Sequence, residues 1–152
     1  MISRQSICRP EVAVAEFLDL HSKTTKALRA LAETAMRRHG LHQGQDHLLA
    51  ALWERDGSTP GEIAAALHVT TPTVVKMATR MSAVGLLVRR RDEHDNRLVR
   101  LWLTDAGRAL RGPVEAERRS LEEKITAGLT ETELRQLTTT LAKIHDSARD
   151  LL

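Results

Sequence analysis

The chemistry open to this sequence is concentrated in cationic and hydroxyl side chains set at short intervals between Thr70 and Arg100. The run TTPTVVKMATR carries Thr71, Thr73, Lys76, Thr79 and Arg80, and RRRDEHDNRLVR carries Arg89, Arg90, Arg91, Arg97 and Arg100 around an acidic, turn-prone insert. Guanidinium and ammonium groups bind phosphate and carboxylate oxygens, and hydroxyls donate or accept beside them. From Pro60 to Thr104 there are seven Lys/Arg against four Asp/Glu, although the whole chain carries only +3. An anionic partner is therefore expected at this middle segment.

Other chemistries find no comparable pattern. There is no nucleophile-and-base motif and no phosphate-cradling glycine loop, so no catalytic residue is expected. His39, His42 and His47 lie close in sequence, but without a His-x-x-x-His pair on one helix or a neighbouring cysteine they announce no metal site, and no cofactor is implied. The single Cys8 excludes an intrachain disulfide, which agrees with a reducing compartment. No apolar run approaches the roughly 18 residues of a membrane span, and MISRQSICRP lacks the apolar centre of a signal peptide. A cytoplasmic protein with no membrane partner is expected.

Helices must position these groups. The 152 residues suit one domain, and 2% aromatic content leaves the core to Leu, Val, Ile, Ala and Met, which favours helix packing. Pro10 to Arg38 reads as one long helix ended by Gly40, with Val14, Phe17, Leu18, Leu28, Leu31 and Ala35 along its apolar stripe. A shorter helix from about Gly44 to Glu54 stops at Asp56-Gly57. Thr59, Pro60 and Glu62 have the spacing of a capping box, so a short helix starts there. Thr70 or Thr71 caps the next helix, which turns Val74, Met77, Ala78, Met81 and Val84 inward and closes at Gly85. Leu86 to Arg90 and Leu98 to Leu103 read as two strands joined by Asp92 to Asn96. Thr104 restarts helix, Gly112-Pro113 predicts a kink or break in it, and Thr130-x-x-Glu133 is a second capping box. The last helix sets Leu134, Leu137, Leu141, Ile144, Ala148 and Leu151 in a coiled-coil-like seam.

A short capped helix, a turn and a second helix with a polar outer face form a helix-turn-helix. Its outer face would present Thr71, Thr73, Val75, Lys76, Thr79 and Arg80, a set suited to base edges and phosphates in a DNA major groove. The hairpin then reads as a wing. Arg97 at its tip suits a narrow minor groove, Asp95 can hold either the Arg97 guanidinium or the loop backbone, and Arg89, Arg90 and Arg91 are placed for phosphates.

Leu41 and Gln45, Glu62-Ile63-Ala64 with Leu67, Thr70 to Met81, Gly85-Leu86-Leu87 with Arg89, and Asp95-Asn96-Arg97 leading to Leu103-Thr104-x-x-Gly107 together make the chain resemble the MarR family of winged-helix transcriptional regulators. The resemblance covers nearly the whole length. It departs at Asn96, where family members commonly have Arg, which removes one charge from the tip. It implies a mainly α fold with a small β-hairpin, in which a winged-helix lobe, 41–104, is flanked by a helical dimerisation lobe made of 10–40 and 105–152.

The resemblance also implies a homodimer on a pseudo-palindromic duplex operator, acting as a repressor that a small-molecule effector releases. The seam from Leu134 to Leu151 and the first helix, with Val14 and Phe17, agree with a helical dimer interface. His21, Thr24 and Thr25 interrupt the first helix's apolar stripe. They are either solvated at a helix crossing or, with Trp53, walls of an effector pocket. Two other functions stay open: a winged helix that docks a protein partner, and a redox-sensing regulator acting through Cys8, although the tyrosines that place such a thiolate in some relatives are absent here.

Overall fold

The computed structural model describes residues 11–152, with side chains from Glu16 onward. Cys8 and the Val14 side chain lie outside the described residues. The element order is α1 (Glu11–Arg37), α2 (Gln45–Glu54), α3 (Pro60–Leu67), α4 (Thr71–Ala83), β1 (Leu87–Arg91), β2 (Val99–Leu103), α5 (Asp105–Ala109), α6 (Arg111–Thr126) and α7 (Glu131–Arg149). The fold is mainly helical with one antiparallel two-stranded sheet.

Local chemistry sets most of these boundaries. Thr59 Oγ1 accepts from the Glu62 N–H while the Glu62 carboxylate accepts from the Thr59 N–H at 2.8 Å, a complete capping box with Pro60 at the first helical position. Thr130 and Glu133 repeat it for α7, and Thr70 and Thr104 cap α4 and α5 through their hydroxyls. Each cap satisfies N–H groups that a helix start otherwise leaves without partners. The break expected at Gly112-Pro113 falls slightly earlier, at Leu110. Pro113 has no N–H to return to the Ala109 carbonyl, so the chain stops one helix there and begins the next with Pro113 in its first turn.

Leu41, Leu48, Leu49, Leu52, Ile63, Val74, Ala78, Met81, Leu87, Leu101 and Val114 form a core between α2, α3, α4, the hairpin and α6. Val84 does not join it. The helix ends at Ala83, and Val84, its C-cap, is 68% exposed rather than on the inner face. A third segment extends the sheet: the Leu101 N–H donates to Ser58 O and the Gly57 N–H to Leu101 O, so β2 is paired on both sides.

The apolar faces of α1 and α7 are largely left out of that core. Phe17, Leu18, Leu28 and Leu31 on α1, and Leu137 and Leu141 on α7, are exposed, whereas Ala35 and Met36 at the end of α1 are buried; Leu151, expected on the last helix's seam, falls past its end at Arg149 and is also exposed. Leu134 and Ile144 are half-buried, Ala148 is exposed, and α7 has no buried residue. Among the described residues, no helix is long and apolar enough to cross a membrane.

Candidate nucleic-acid interface

Helix α4 turns one face inward and one outward, as the sequence pattern required. Val74, Ala78 and Met81 are buried and Met77 is packed against them; Thr71, Thr73, Lys76, Thr79 and Arg80 are exposed, and Val75 is half-buried. Two of the outward hydroxyls are engaged locally. Thr73 Oγ1 lies 2.8 Å from the capping Thr70 Oγ1, and Thr79 Oγ1 donates to the Val75 carbonyl at 2.9 Å.

The hairpin stands against this face. The register pairs Leu87 with Leu103, Arg89 with Leu101, Arg90 with Arg100 and Arg91 with Val99. Successive side chains on a strand point to opposite faces. Arg89 turns toward α4, where its Nη1 donates to Thr79 Oγ1 at 3.3 Å, tying wing to helix. Arg90 shares the other face with Arg100 and Trp102, and these line a shallow cavity of about 380 Å³ together with Arg91, Asp92, Glu93 and His94. The three consecutive arginines are thus split between two sides of the wing.

Asp95 sits at the tip as expected, and its role is the second of the two open at the sequence level. Its Oδ1 accepts the Arg97 backbone N–H at 2.9 Å, and the Leu98 N–H returns to the Asp95 carbonyl, so the carboxylate shapes the loop rather than clasping the guanidinium. Among the described residues, Lys76, Arg80, Arg89, Arg90, Arg91 and Arg97 have no carboxylate within ion-pair distance; Lys26, Arg29, Arg119, Lys124, Lys143 and Arg149 also have none but are scattered over α1, α6 and α7, whereas the first six are gathered on α4 and the wing, and Arg37, Arg100, Arg108, Arg111 and Arg135 are all paired.

Arg100, which the sequence shows only as one of five arginines around the turn, has a structural role that its neighbours in sequence do not announce. The Arg100 guanidinium donates to the buried Asp92 carboxylate, donates to Gly57 O at 2.9 Å, and comes within 3.9 Å of Glu62. Asp92 also accepts from the His94 and Asp95 N–H groups at the start of the tip. The Arg100 pairing, followed by those two backbone bonds, holds the Asp92 carboxyl well below the usual carboxylate range, and Asp92 in turn raises Arg100. Glu62 is lowered chiefly by the Thr59 backbone bond, with Arg55 and Arg100 nearby. One polar chain therefore runs from the wing tip to the first turn of α3. The signal was an Asp and an Arg near opposite ends of a hairpin turn, readable only once the register is known.

Trp53 has a fixed place: its Nε1 donates to Gly107 O at 3.0 Å, and its ring lines a cavity of about 300 Å³ with Ala50, Glu54, Glu115, Arg118, Arg119 and Glu122. His21, Thr24 and Thr25 do not line that cavity; His21 and Thr24 are exposed on α1, Thr25 is half-buried, and the His21 ring lies 5.8 Å from Phe17. Among the described residues no group of three or more His, Cys, Asp or Glu side chains converges as a metal centre.

A capped two-helix unit with a basic outer face, flanked by a hairpin whose tip displays an unpaired arginine, defines a winged helix-turn-helix. Residues 41–99 match the sequence model of the MarR family. The chain is 33% identical over 108 residues to the HTH-type transcriptional regulator TtmR of Methylorubrum extorquens, covering 71% of this chain but only 54%, about half, of TtmR. It is 30% identical over 114 residues to the HTH-type transcriptional repressor MdtR of Bacillus subtilis, covering 75% of this chain and 74% of MdtR. In three dimensions it resembles MepR of S. aureus, whose structure is of a MepR–DNA complex, with TM-score 0.80, 26% identity and coverage of 86% and 97% of the two chains. The chain belongs to the MarR family of transcriptional regulators.

Proposed function

We propose that the chain binds double-stranded DNA as a homodimer and represses transcription from a pseudo-palindromic operator. The observation that carries this reading is the set of unpaired cations gathered on α4 and the wing, since phosphate contacts need guanidinium and ammonium groups not already neutralised. Lys76 and Arg80, with Thr71, Thr73, Val75 and Thr79, face the major groove. Arg97 enters the adjacent minor groove, its loop shaped by Asp95. Arg89 approaches phosphates from the α4 side, Arg90 from the other, and Arg91 from the end of the strand beside the tip.

The uncovered stripes of α1 and α7, with Phe17, Leu137 and Leu141, and Leu151 just beyond α7, support a second copy as their cover; such a two-fold pair sets recognition helices about 34–36 Å apart. The names of MdtR and the MepR complex support repression and duplex binding. A small-molecule effector that binds one arrangement of the lobes better than the other shifts the population between DNA-competent and incompetent states. Cytoplasmic residence follows from that role.

The test is selection of bound duplexes from genomic fragments followed by footprinting. The reading expects a protected site spanning two half-sites about one helical turn apart, with affinity falling steeply as salt rises. Association with an acidic protein and no duplex preference would favour the docking-module alternative.

A further inference from the structure

The geometry points to a transition-metal site between His68, in the turn that leads into α4, and His145 on α7. The two imidazole centres lie 5.7 Å apart with their planes tilted by 54°. An imidazole nitrogen sits about 2.0–2.1 Å from zinc, so two rings sharing one ion have centres roughly 5–6 Å apart. His145 Nδ1 lies 3.3 Å from the Asp146 carboxylate. If Nδ1 donates its proton there, Nε2 keeps its lone pair, which is the carboxylate–histidine arrangement that orients metal-bound imidazoles.

His68 adds an independent observation. It caps α3 with φ 53° and ψ 43°, and among the described residues it is the only non-glycine with positive φ. That conformation is ordinarily given to Gly, because a β-carbon is crowded there, and among other residues Asn, Asp and His adopt it most often. An outlier of this kind directs attention to what the side chain does. This side chain is exposed, makes no hydrogen bond among the described residues, and reaches the ring of His145.

The protein supplies two nitrogen ligands, and water completes the coordination. Imidazole selects borderline ions such as Ni²⁺, Cu²⁺ and Zn²⁺ over Mg²⁺ or Ca²⁺. A bound ion fastens the turn before α4 to α7, joining the reading head to the helical lobe. The two residues are far apart in sequence, so no local spacing could announce the site.

The experiment is calorimetric titration of the tag-free full chain with Ni²⁺, then with Mg²⁺, for wild type, His68→Asn, His145→Gln and Asp146→Asn. Asn tolerates the left-handed backbone and the other two positions are exposed, so all three variants keep the fold, checked by circular dichroism. The expected result is one Ni²⁺ per chain in wild type, no Mg²⁺ uptake, binding lost in both histidine variants, and roughly 10–100-fold weaker binding in Asp146→Asn. Equal Ni²⁺ uptake by wild type and the histidine variants would place the ion at other histidines and overturn the inference. Absence of Ni²⁺ uptake by wild type would overturn it as well.

Discussion

Arg100 and Asp92 face each other across the base of the wing tip, and their pairing makes the tip an extension of the folded core. Arg100 is also bonded to Gly57 O, in the turn before α3, and lies beside the Glu62 carboxylate that closes the α3 cap. Replacing Arg100 by Met keeps the stem but removes every one of these bonds. The expected outcome is a folded protein with a loosened tip, seen as faster amide exchange from Asp92 to Leu98, and a weaker operator complex. Unchanged exchange in that segment would show that the pairing does not set the tip.

The pH dependence follows from the depressed Asp92 carboxyl, held low first by Arg100 and then by the His94 and Asp95 N–H groups. A group lowered on folding contributes its full stability above its unfolded value, about 3.9 for Asp, and loses it as pH falls toward the folded value. The wing is therefore expected to keep its structure between about pH 7 and pH 5 and to loosen only below about pH 4. NMR of the Trp102 indole N–H during acid titration checks this. Loss of its shift between pH 7 and 5 would contradict the assignment.

Two glycines give opposite expectations. A Cβ on Gly107 would lie 2.1 Å from Leu86 O, a backbone atom that cannot yield, whereas a Cβ on Gly112 meets nothing within 4 Å. Gly107→Ala is expected to destabilise by at least about 2–3 kcal/mol, and Gly112→Ala to change stability by less than about 1 kcal/mol. Urea unfolding of both variants measures the contrast. It also gives the glycine of Leu103-Thr104-x-x-Gly107 a physical reason, since α5 packs directly on the residue after Gly85.

The helical seam makes a separate prediction. Leu141 is 44% exposed in a single chain, so Leu141→Glu costs the isolated fold little while placing a charge in any interface that covers α7. Sedimentation velocity is expected to show a dimer for wild type and a shift toward monomer for the variant, with circular dichroism unchanged. A monomeric wild type would remove the dimer from the account.

Much of the fold was legible because its punctuation is local. Thr59 with Glu62, Thr130 with Glu133, and Gly85 act within four residues, and the buried face of α4 follows from its period. What escaped depends on contacts distant in sequence or on register. Val84 continued the apolar period but lies past the last turn, because the period does not say where hydrogen bonding stops. Arg90 looked equivalent to its neighbours, yet strand alternation puts it on the far side of the wing. Arg100 had no role of its own in the sequence until the register brought Asp92 and Gly57 around it. At the candidate site, the outward residues of α4 and the exposed Arg97 were legible; the Arg89–Thr79 tie and the Arg100 network were not.

The most direct test of the central claim is fluorescence anisotropy of a selected operator duplex and a scrambled duplex, with wild type and Arg97→Ala. The Arg97 side chain has no ion-pair partner and makes no hydrogen bond among the described residues, and the backbone N–H that Asp95 accepts is kept in Arg97→Ala, so its removal leaves the fold intact. Wild type is expected to prefer the operator, and Arg97→Ala to weaken that complex by about 1–3 kcal/mol, with a shallower salt dependence. Equal affinity of the two proteins for the operator would contradict the placement of the wing tip in DNA.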